Sequence, residues 1–412
     1  MKDEIIQDFN RDPLTHLYNR AKFNEDCAAR DENTLILIDI VGFSKINENY
    51  GYKIADSVLI EFGAFLQIMY HDDYTIYHLG NDLFGLIPHL NAVDNIFKRV
   101  KAIRSDILKI KIITNNFNNS VAISIGVAYQ NEHNLLRKAE LALKEARNSG
   151  INKIKYYSDD LKILKKIENT NKWVPIIQEQ IEKESFLVYY QPVYNLRTYT
   201  IDKYETLIRI KHKGQIYSPG LFIQAAYDAG FMYEIFKFMF ISACKKVNKK
   251  NVKLSVNIGT QELERDDLYD FIKINIEKYG IATNKLSVEI LEYNSIAKNS
   301  AIHENILKIY KLGIAIIIDD FGVNCSNFSQ LQNLPISIIK IDGSFIENIA
   351  SSKESQIIVK TIQTYAREKN IKLVAEYVAS KEALSKVMEL NIEYGQGNYL
   401  GAAQEQIDEF YL

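Results

Sequence analysis

Gly313-Ile-Ala-Ile-Ile-Ile-Asp-Asp-Phe-Gly322 decides how the whole chain is read. A β-branched, apolar run of this length is too short to span a membrane and reads as a strand buried on both faces, as in a parallel sheet. It stops at Asp319 and Asp320. Adjacent carboxylates at the end of a buried strand repel each other and resist desolvation, and a cation beside them keeps both ionised. The alternative is that the pair caps a helix after the Phe321-Gly322 turn.

Working outward, other apolar runs also stop at polar residues. They are Leu187-Val-Tyr-Tyr-Gln191, Tyr204-Glu205, Leu254-Ser-Val-Asn257, Leu286-Ser-Val-Glu289, Ile338-Ile-Lys-Ile-Asp342, Leu373-Val-Ala-Glu376 and Tyr394-Gly-Gln396. Asn257 and Glu289 are 32 residues apart, and Glu289 and Asp319 are 30 apart, about one strand-helix-strand unit. Eight such units suggest a (β/α)8 barrel of parallel strands, whose carboxyl ends converge on the face where this fold places active sites. Gln191, Glu205, Asn257, Glu289, Asp319, Asp320, Lys340, Asp342, Glu376 and Gln396 would meet there.

A patch of carboxylates without a cation would repel itself by kilocalories, so a divalent-metal site is expected. Oxygen donors with no His or Cys among them select Mg²⁺ or Mn²⁺. Two such ions about 4 Å apart suit in-line displacement at phosphorus, which points to phosphodiester hydrolysis. A lysine on this face, Lys340, would keep its charge among the acids. An acid outside the innermost shell, such as Glu376, is placed to take a proton from water.

Composition narrows the remainder. The 412 residues suffice for two or three domains, and a net charge of -2 with dispersed Lys and Arg argues against a nucleic-acid surface or a polybasic membrane anchor. Cys27, Cys244 and Cys325 are scattered, with no CxxC pair, which suits a reducing cytoplasm and no thiolate zinc site. The opening Met1-Lys-Asp-Glu-Ile-Ile-Gln-Asp-Phe is too charged for a signal peptide, no sensor module is expected ahead of residue 10, and no membrane insertion is expected.

The front part reads as a separate α/β domain over residues 1–157. Thr34 to Ile40 is a buried strand carrying Asp39, Ile54 to Met69 has helical spacing, and Tyr74 to Ile87 is a hairpin turning at Leu79-Gly-Asn-Asp82. Val121 to Val127 is a further strand, and Leu135 to Ser149 a helix closed by Gly150. His78 and His89 read as ordinary strand or loop side chains. Residues 158–184 read as a helical linker interrupted near Pro175, and 185–412 as the barrel.

At the residues named above, the second half resembles the EAL-domain cyclic-di-GMP phosphodiesterases across nearly all of residues 160–405. Glu205-Thr-Leu-Ile-Arg209 stands where the family has Glu-Ala-Leu-Leu-Arg, and Gln191-Pro-Val, Ser255-Val-Asn257, Glu289-Ile-Leu-Glu292, Asp319-Asp-Phe-Gly322, Lys340-Ile-Asp342, Ala375-Glu376 and Gln396-Gly397 also match. The resemblance implies that Glu205, Asn257, Glu289 and Asp319 bind a first metal, and that Asp319 and Asp320 engage a second. It makes Lys340 the holder of the attacking water, Glu376 the general base, Gln191, Arg209, Asp342 and Gln396 substrate contacts, and Glu292 the acid that steadies the loop after Phe321. The implied reaction converts cyclic di-GMP to linear pGpG, in a homodimer formed through the barrel. The alternative is a non-catalytic cyclic-di-GMP receptor or scaffold. The loop departs from the family, reading Gly322-Val-Asn-Cys-Ser-Asn-Phe328 in place of Gly-Thr-Gly-Tyr-Ser-Ser-Leu, and Ala379 replaces the second acid of Glu-Gly-Val-Glu.

The first half resembles a GGDEF (diguanylate cyclase) domain across residues 10–155, opening on Asp12-Pro-Leu-Thr-His-Leu-Tyr-Asn-Arg20. By this resemblance Asp39 stands at a metal position, and Asn47 and Asp56 where the family contacts guanine. The signature reads Gly80-Asn-Asp-Leu-Phe84, with Asn81 for the second glycine and Leu83 for the glutamate, and Ile151 replaces a triphosphate-binding arginine. An Asn side chain obstructs the close approach to phosphate that glycine permits. No cyclase activity is expected, while Asp39, Asn47, Asp56 and Asp82 form a candidate GTP site that regulates the barrel.

Overall fold

The computed structural model describes residues 9–28, 34–89, 95–114, 117–129, 134–290, 300–322 and 334–407. The chain divides into two units, residues 1–168 and 169–412. Among the described residues no helix is long and apolar enough to cross a membrane.

In the front unit the strands are β1 (Leu35–Ile40), β2 (Tyr74–His78), β3 (Leu83–Pro88), β4 (Ile112–Thr114), β5 (Phe117–Asn119), β6 (Ile123–Ala128) and β7 (Ile154–Tyr156). Five of them form one sheet in the order β2-β3-β1-β6-β7, and β4 and β5 make a separate ribbon. β1 is antiparallel to both of its neighbours and buried at every residue. After a first helix at Arg20–Ala28, the unit's helices are α1 (Phe43–Tyr50), α2 (Tyr52–Tyr70), α3 (Ile96–Lys109) and α4 (Leu135–Asn148). Ala55, Val58, Leu59, Phe62 and Leu66, spaced by three and four, bury one face of α2. Each large apolar side chain so buried contributes roughly 1.5–3 kcal/mol against leaving it in water.

One glycine sets the position of α4. A Cβ at Gly126 would lie 2.3 Å from the Leu143 backbone nitrogen and 2.5 Å from the Ala139 carbonyl oxygen. Without that side chain α4 lies directly on β6, and its last turn, with Arg147, comes beside the end of β1.

The α5 helix (Lys162–Glu182) runs unbroken through Pro175, contrary to the interruption expected there. Proline removes one backbone donor from the ladder. The helix survives because Trp173 and Ile177, on either side of it, are fully buried in the core of the second unit, Trp173 edge-on to Tyr217 at 4.9 Å. The division between the units falls inside this helix, after Glu168.

The second unit is a closed barrel. Its strands are β8 (Leu187–Asn195), β9 (Thr200–His212), β11 (Leu254–Ile258), β12 (Leu286–Ile290), β13 (Ala315–Phe321), β14 (Ile336–Ile341), β15 (Lys372–Ala375) and β16 (Tyr394–Gly395), with β10 (Gln215–Tyr217) added to β9 as a hairpin. From β9 through β11 to β16 the strands are parallel, as expected. β8 departs from the all-parallel expectation, because it pairs antiparallel with both β9 and β16. The reason is local: β8 and β9 are joined by Leu196 to Tyr199 alone, enough for a hairpin and too short for a parallel crossover. The Asn195 side chain accepts from the Arg197 and Thr198 amides at 2.9 and 3.3 Å and holds that turn. The helices α6 (Met232–Lys250), α7 (Leu268–Tyr279), α8 (Ser300–Lys311), α9 (Lys353–Glu368) and α10 (Lys381–Glu389) alternate with the parallel strands.

Candidate active site at the barrel rim

Side chains alternate along a strand, so the inward positions near each carboxyl end collect at one mouth of the barrel. Lys340, on β14, is 1% exposed and lies at the centre of this set. Its Nζ is 2.7 Å from Glu289 Oε2, 2.8 Å from Glu376 Oε1, 3.0 Å from Glu205 Oε2 and 3.0 Å from Asp319 Oδ1. Side chains from five strands, more than 170 residues apart at their extremes, therefore meet at one ammonium group, Glu205 from the middle of β9 and the others from the carboxyl ends of theirs. Glu205 also accepts from Gln396 Nε2 at 2.6 Å and from Asn257 Nδ2 at 2.9 Å, and Gln396 donates to Gln191 Oε1 at 3.2 Å. Gly397 carries a φ of 158° and its Cβ would sit 2.3 Å from the Val378 nitrogen, so glycine lets the Gln396 segment close against the strand beside it.

Asp319 and Asp320 would face opposite ways on a regular strand. An irregularity in β13 between Ile318 and Phe321, with Asp320 at φ 50°, breaks the alternation. Carboxylate oxygens of Asp319, Asp320 and Glu376 consequently lie within 4.8 Å of one another, as do those of Glu205, Glu289 and Asp319. Asp319 belongs to both groups. Facing Lys340 in this way, it acts as part of the rim rather than as the helix cap left open above.

Charge at the rim is unbalanced. Burial opposes the Lys340 charge, but Glu205, Glu289, Glu376 and Asp319 outweigh it and hold the ammonium well above its ordinary range. Burial pushes Glu289 up to about 7, with Glu205 adding to the shift and Lys340 opposing it. Glu376 is driven well above the usual carboxylate range, again first by burial. Burial also raises Asp319 and Asp320. Burial would raise Glu205 too, but Lys340 and the amides of Gln396 and Asn257 hold it below its usual value. The rim must therefore carry protons or further cations. Asn257 Oδ1 and Glu289 Oε1 are buried with no hydrogen-bond partner, and the donors are all oxygens, so these residues fit a hard divalent ion.

The other expected residues are less closely joined. Arg209 lies with its guanidinium 5.1 Å over the Tyr189 ring and donates to the Ile208 carbonyl at 2.9 Å. Asp342 accepts from the Ser344 amide at 2.7 Å and caps the short helix Gly343–Ile346. Glu292 and the loop at 323–333 lie outside the described residues.

Two features escaped the sequence reading. A cavity of about 270 Å³ opens beside Asn257 and Asp319, walled by apolar side chains including Pro219, Ile223, Met232 and Met239. Lys203, one inward position below Glu205, is 4% exposed with its Nζ unpartnered, and burial lowers it to about 8. Its period-two relation to Glu205 was a usable signal for the second feature; nothing in the sequence announced the cavity.

In the front unit Asp39 is 3% exposed at the end of β1. Arg147 Nε donates to Asp39 Oδ2 at 2.9 Å, and its Nη2 donates to Asp39 Oδ1. Asp82, beyond a turn with positive φ at Gly80 and Asn81, is raised by burial and then by Asp39 beside it. Asn47 lies half-buried on α1 and Asp56 exposed on α2. His78 is buried, with Nδ1 3.0 Å from Asp12 Oδ1 and Nε2 3.0 Å from the Asn81 carbonyl, and so ties the opening motif to the hairpin turn.

A closed α/β barrel with acids and one lysine at the carboxyl ends of its strands defines a class of metal-dependent site. The chain belongs to the EAL-domain family, whose model matches residues 175–403, and the model for the diguanylate cyclase GGDEF domain matches residues 9–153 ahead of it. It is 29% identical over 421 residues to the cyclic di-GMP phosphodiesterase PdeB of Shewanella oneidensis, covering 98% of this chain and 49% of that protein. The chain thus spans about half the length of the curated relatives it matches. Among solved structures, the EAL domain of FimX from Pseudomonas aeruginosa, bound to c-di-GMP, is 25% identical with a TM-score of 0.55, covering 58% of this chain and 99% of that one. The S helix-GGDEF-EAL structure of Vibrio cholerae LapD shares the fold over 96% of this chain and 97% of that one, with a TM-score of 0.55 at 18% identity.

Proposed function

We propose that the barrel hydrolyses cyclic di-GMP to linear pGpG, with two Mg²⁺ or Mn²⁺ ions at its rim. The observation that carries this reading is the pair of carboxylate groups sharing Asp319 around Lys340, beside an apolar cavity large enough to receive part of a base. Glu205, Asn257, Glu289 and Asp319 would hold one ion, and Asp319 with Asp320 the other. When bound, the ions supply Lewis-acid activation and neutralise phosphate charge.

The chain's own groups do the rest. Lys340 orients the attacking water through its Nζ. Glu376, 2.8 Å from that nitrogen, takes the water's proton in its ionised form, and the same burial that raises its pKa makes that carboxylate a stronger base. Gln191, Arg209, Asp342 and Gln396 position the dinucleotide. The front domain is a cyclase-inactive regulatory module that binds GTP through Asp39, Asn47, Asp56 and Asp82, and the assembly is a cytoplasmic homodimer joined through the barrel.

The test is product analysis with purified chain, Mn²⁺ and cyclic di-GMP, with and without GTP. Linear pGpG from wild type and none from Glu205→Gln is the expected result. Tight binding of the dinucleotide with no product would replace the enzyme by a receptor, and rates indifferent to saturating GTP would remove the regulatory role of the front domain.

A further inference from the structure

The family resemblance places a divalent ion at Asp39, and the front unit does not fit one. Arg147 holds both Asp39 oxygens through Nε and Nη2, the side-on fork in which a guanidinium matches a carboxylate. The Asp39 side chain is 5% exposed, so its two oxygens have little room to serve the guanidinium and an ion together. The only other acid described at this point is Asp82, and the position after it is Leu83, which has no donor atom. A bound dication would thus have one spare carboxylate and would have to displace a cation that the fold itself supplies. The fold also enforces that cation's place: α4 packs without clearance on Gly126, which brings its last turn, with Arg147, beside β1.

We propose that Arg147 takes the place of the metal in the front domain, so that the Asp39–Asp82 site carries no divalent ion. The guanidinium has five N–H donors and spends two of them on Asp39. The Arg147 side chain is 48% exposed, and its remaining donors are open to an anion. If the front domain takes GTP, a clause that rests on the reading above, the phosphate meets Arg147 directly and the binding does not depend on Mg²⁺.

Counting Mn²⁺ bound per full-length chain, by electron paramagnetic resonance of the free ion, decides the matter. Wild type and Asp39→Asn should bind the same number of ions, because only the barrel contributes. Arg147→Met should gain one ion, and the double variant Arg147→Met with Asp39→Asn should lose it again. An ion lost from wild type on Asp39→Asn alone overturns the proposal, and that comparison stands even if Arg147→Met fails to fold. No gain of an ion in a folded Arg147→Met protein overturns it as well. GTP affinity is then measured in Mg²⁺ and in EDTA. Agreement within about twofold supports metal-free binding, and a loss of tenfold or more in EDTA overturns it. Absence of GTP binding under both conditions removes the regulatory reading, while the ion count still decides the role of Arg147.

Discussion

The barrel rim and the front-domain acid pair are built from the same parts, carboxylates at strand ends and one basic side chain, yet reach opposite electrostatic states. At the rim four carboxylates surround the single ammonium of Lys340. In the front unit one guanidinium is matched by a fork to a single carboxylate, with Asp82 beside it. A compact point charge shared four ways leaves a deficit that calls for ions, whereas a planar fork saturates its partner. The lesson is that counting acids does not predict a metal site; the ratio and geometry of acids to fixed cations does.

The largest break in this comparison should come from chelation. EDTA is expected to abolish pGpG formation, with activity returning on Mn²⁺, and product chromatography checks it. Next, Glu376→Gln should lower kcat by about 10²- to 10⁴-fold with KM little changed, the usual span for losing a general base; an unaltered kcat would move the base elsewhere.

Stability gives smaller effects. Lys203 is buried, unpartnered and lowered to about 8, so folding disfavours its charged form. Lys203→Met should stabilise the ion-free chain by about 1–3 kcal/mol at neutral pH, read from denaturant unfolding. The pH dependence of the ion-free rim has a defined sign for Glu289. Its folded value of about 7 exceeds the ordinary carboxylate value, so between about 4.5 and 7 the folded state binds more protons than the unfolded one. That group's contribution is therefore present at low pH and is lost as pH rises through 7. Glu289→Gln should flatten the fall of stability over that interval in EDTA, as measured by thermal melting across pH.

Much of this was legible before any coordinates. Apolar runs closing on Asn257, Glu289, Asp319, Asp342 and Glu376 mark strand ends, and the spacing of Asn257, Glu289 and Asp319 near 30 residues marks the repeat, because burial and chain length leave local traces; the run closing on Glu205 does not, since β9 continues to His212. The direction of β8 was not legible, because the apolar runs end at Gln191 and resume at Tyr204, and that pattern does not show the strands extending to within the short turn Leu196 to Tyr199 that makes them a hairpin. Pro175 misled because a local rule was outweighed by the tertiary anchoring of Trp173 and Ile177. Arg147 was invisible for another reason: it lies 108 residues from Asp39, and only the packing of α4 on Gly126 brings them together.

The backbone of Asp320 carries a practical corollary. At φ 50° it occupies the left-handed region, which asparagine tolerates and alanine resists. An alanine scan through this position would confuse a lost carboxylate with a distorted main chain, so asparagine is the substitution that isolates the charge.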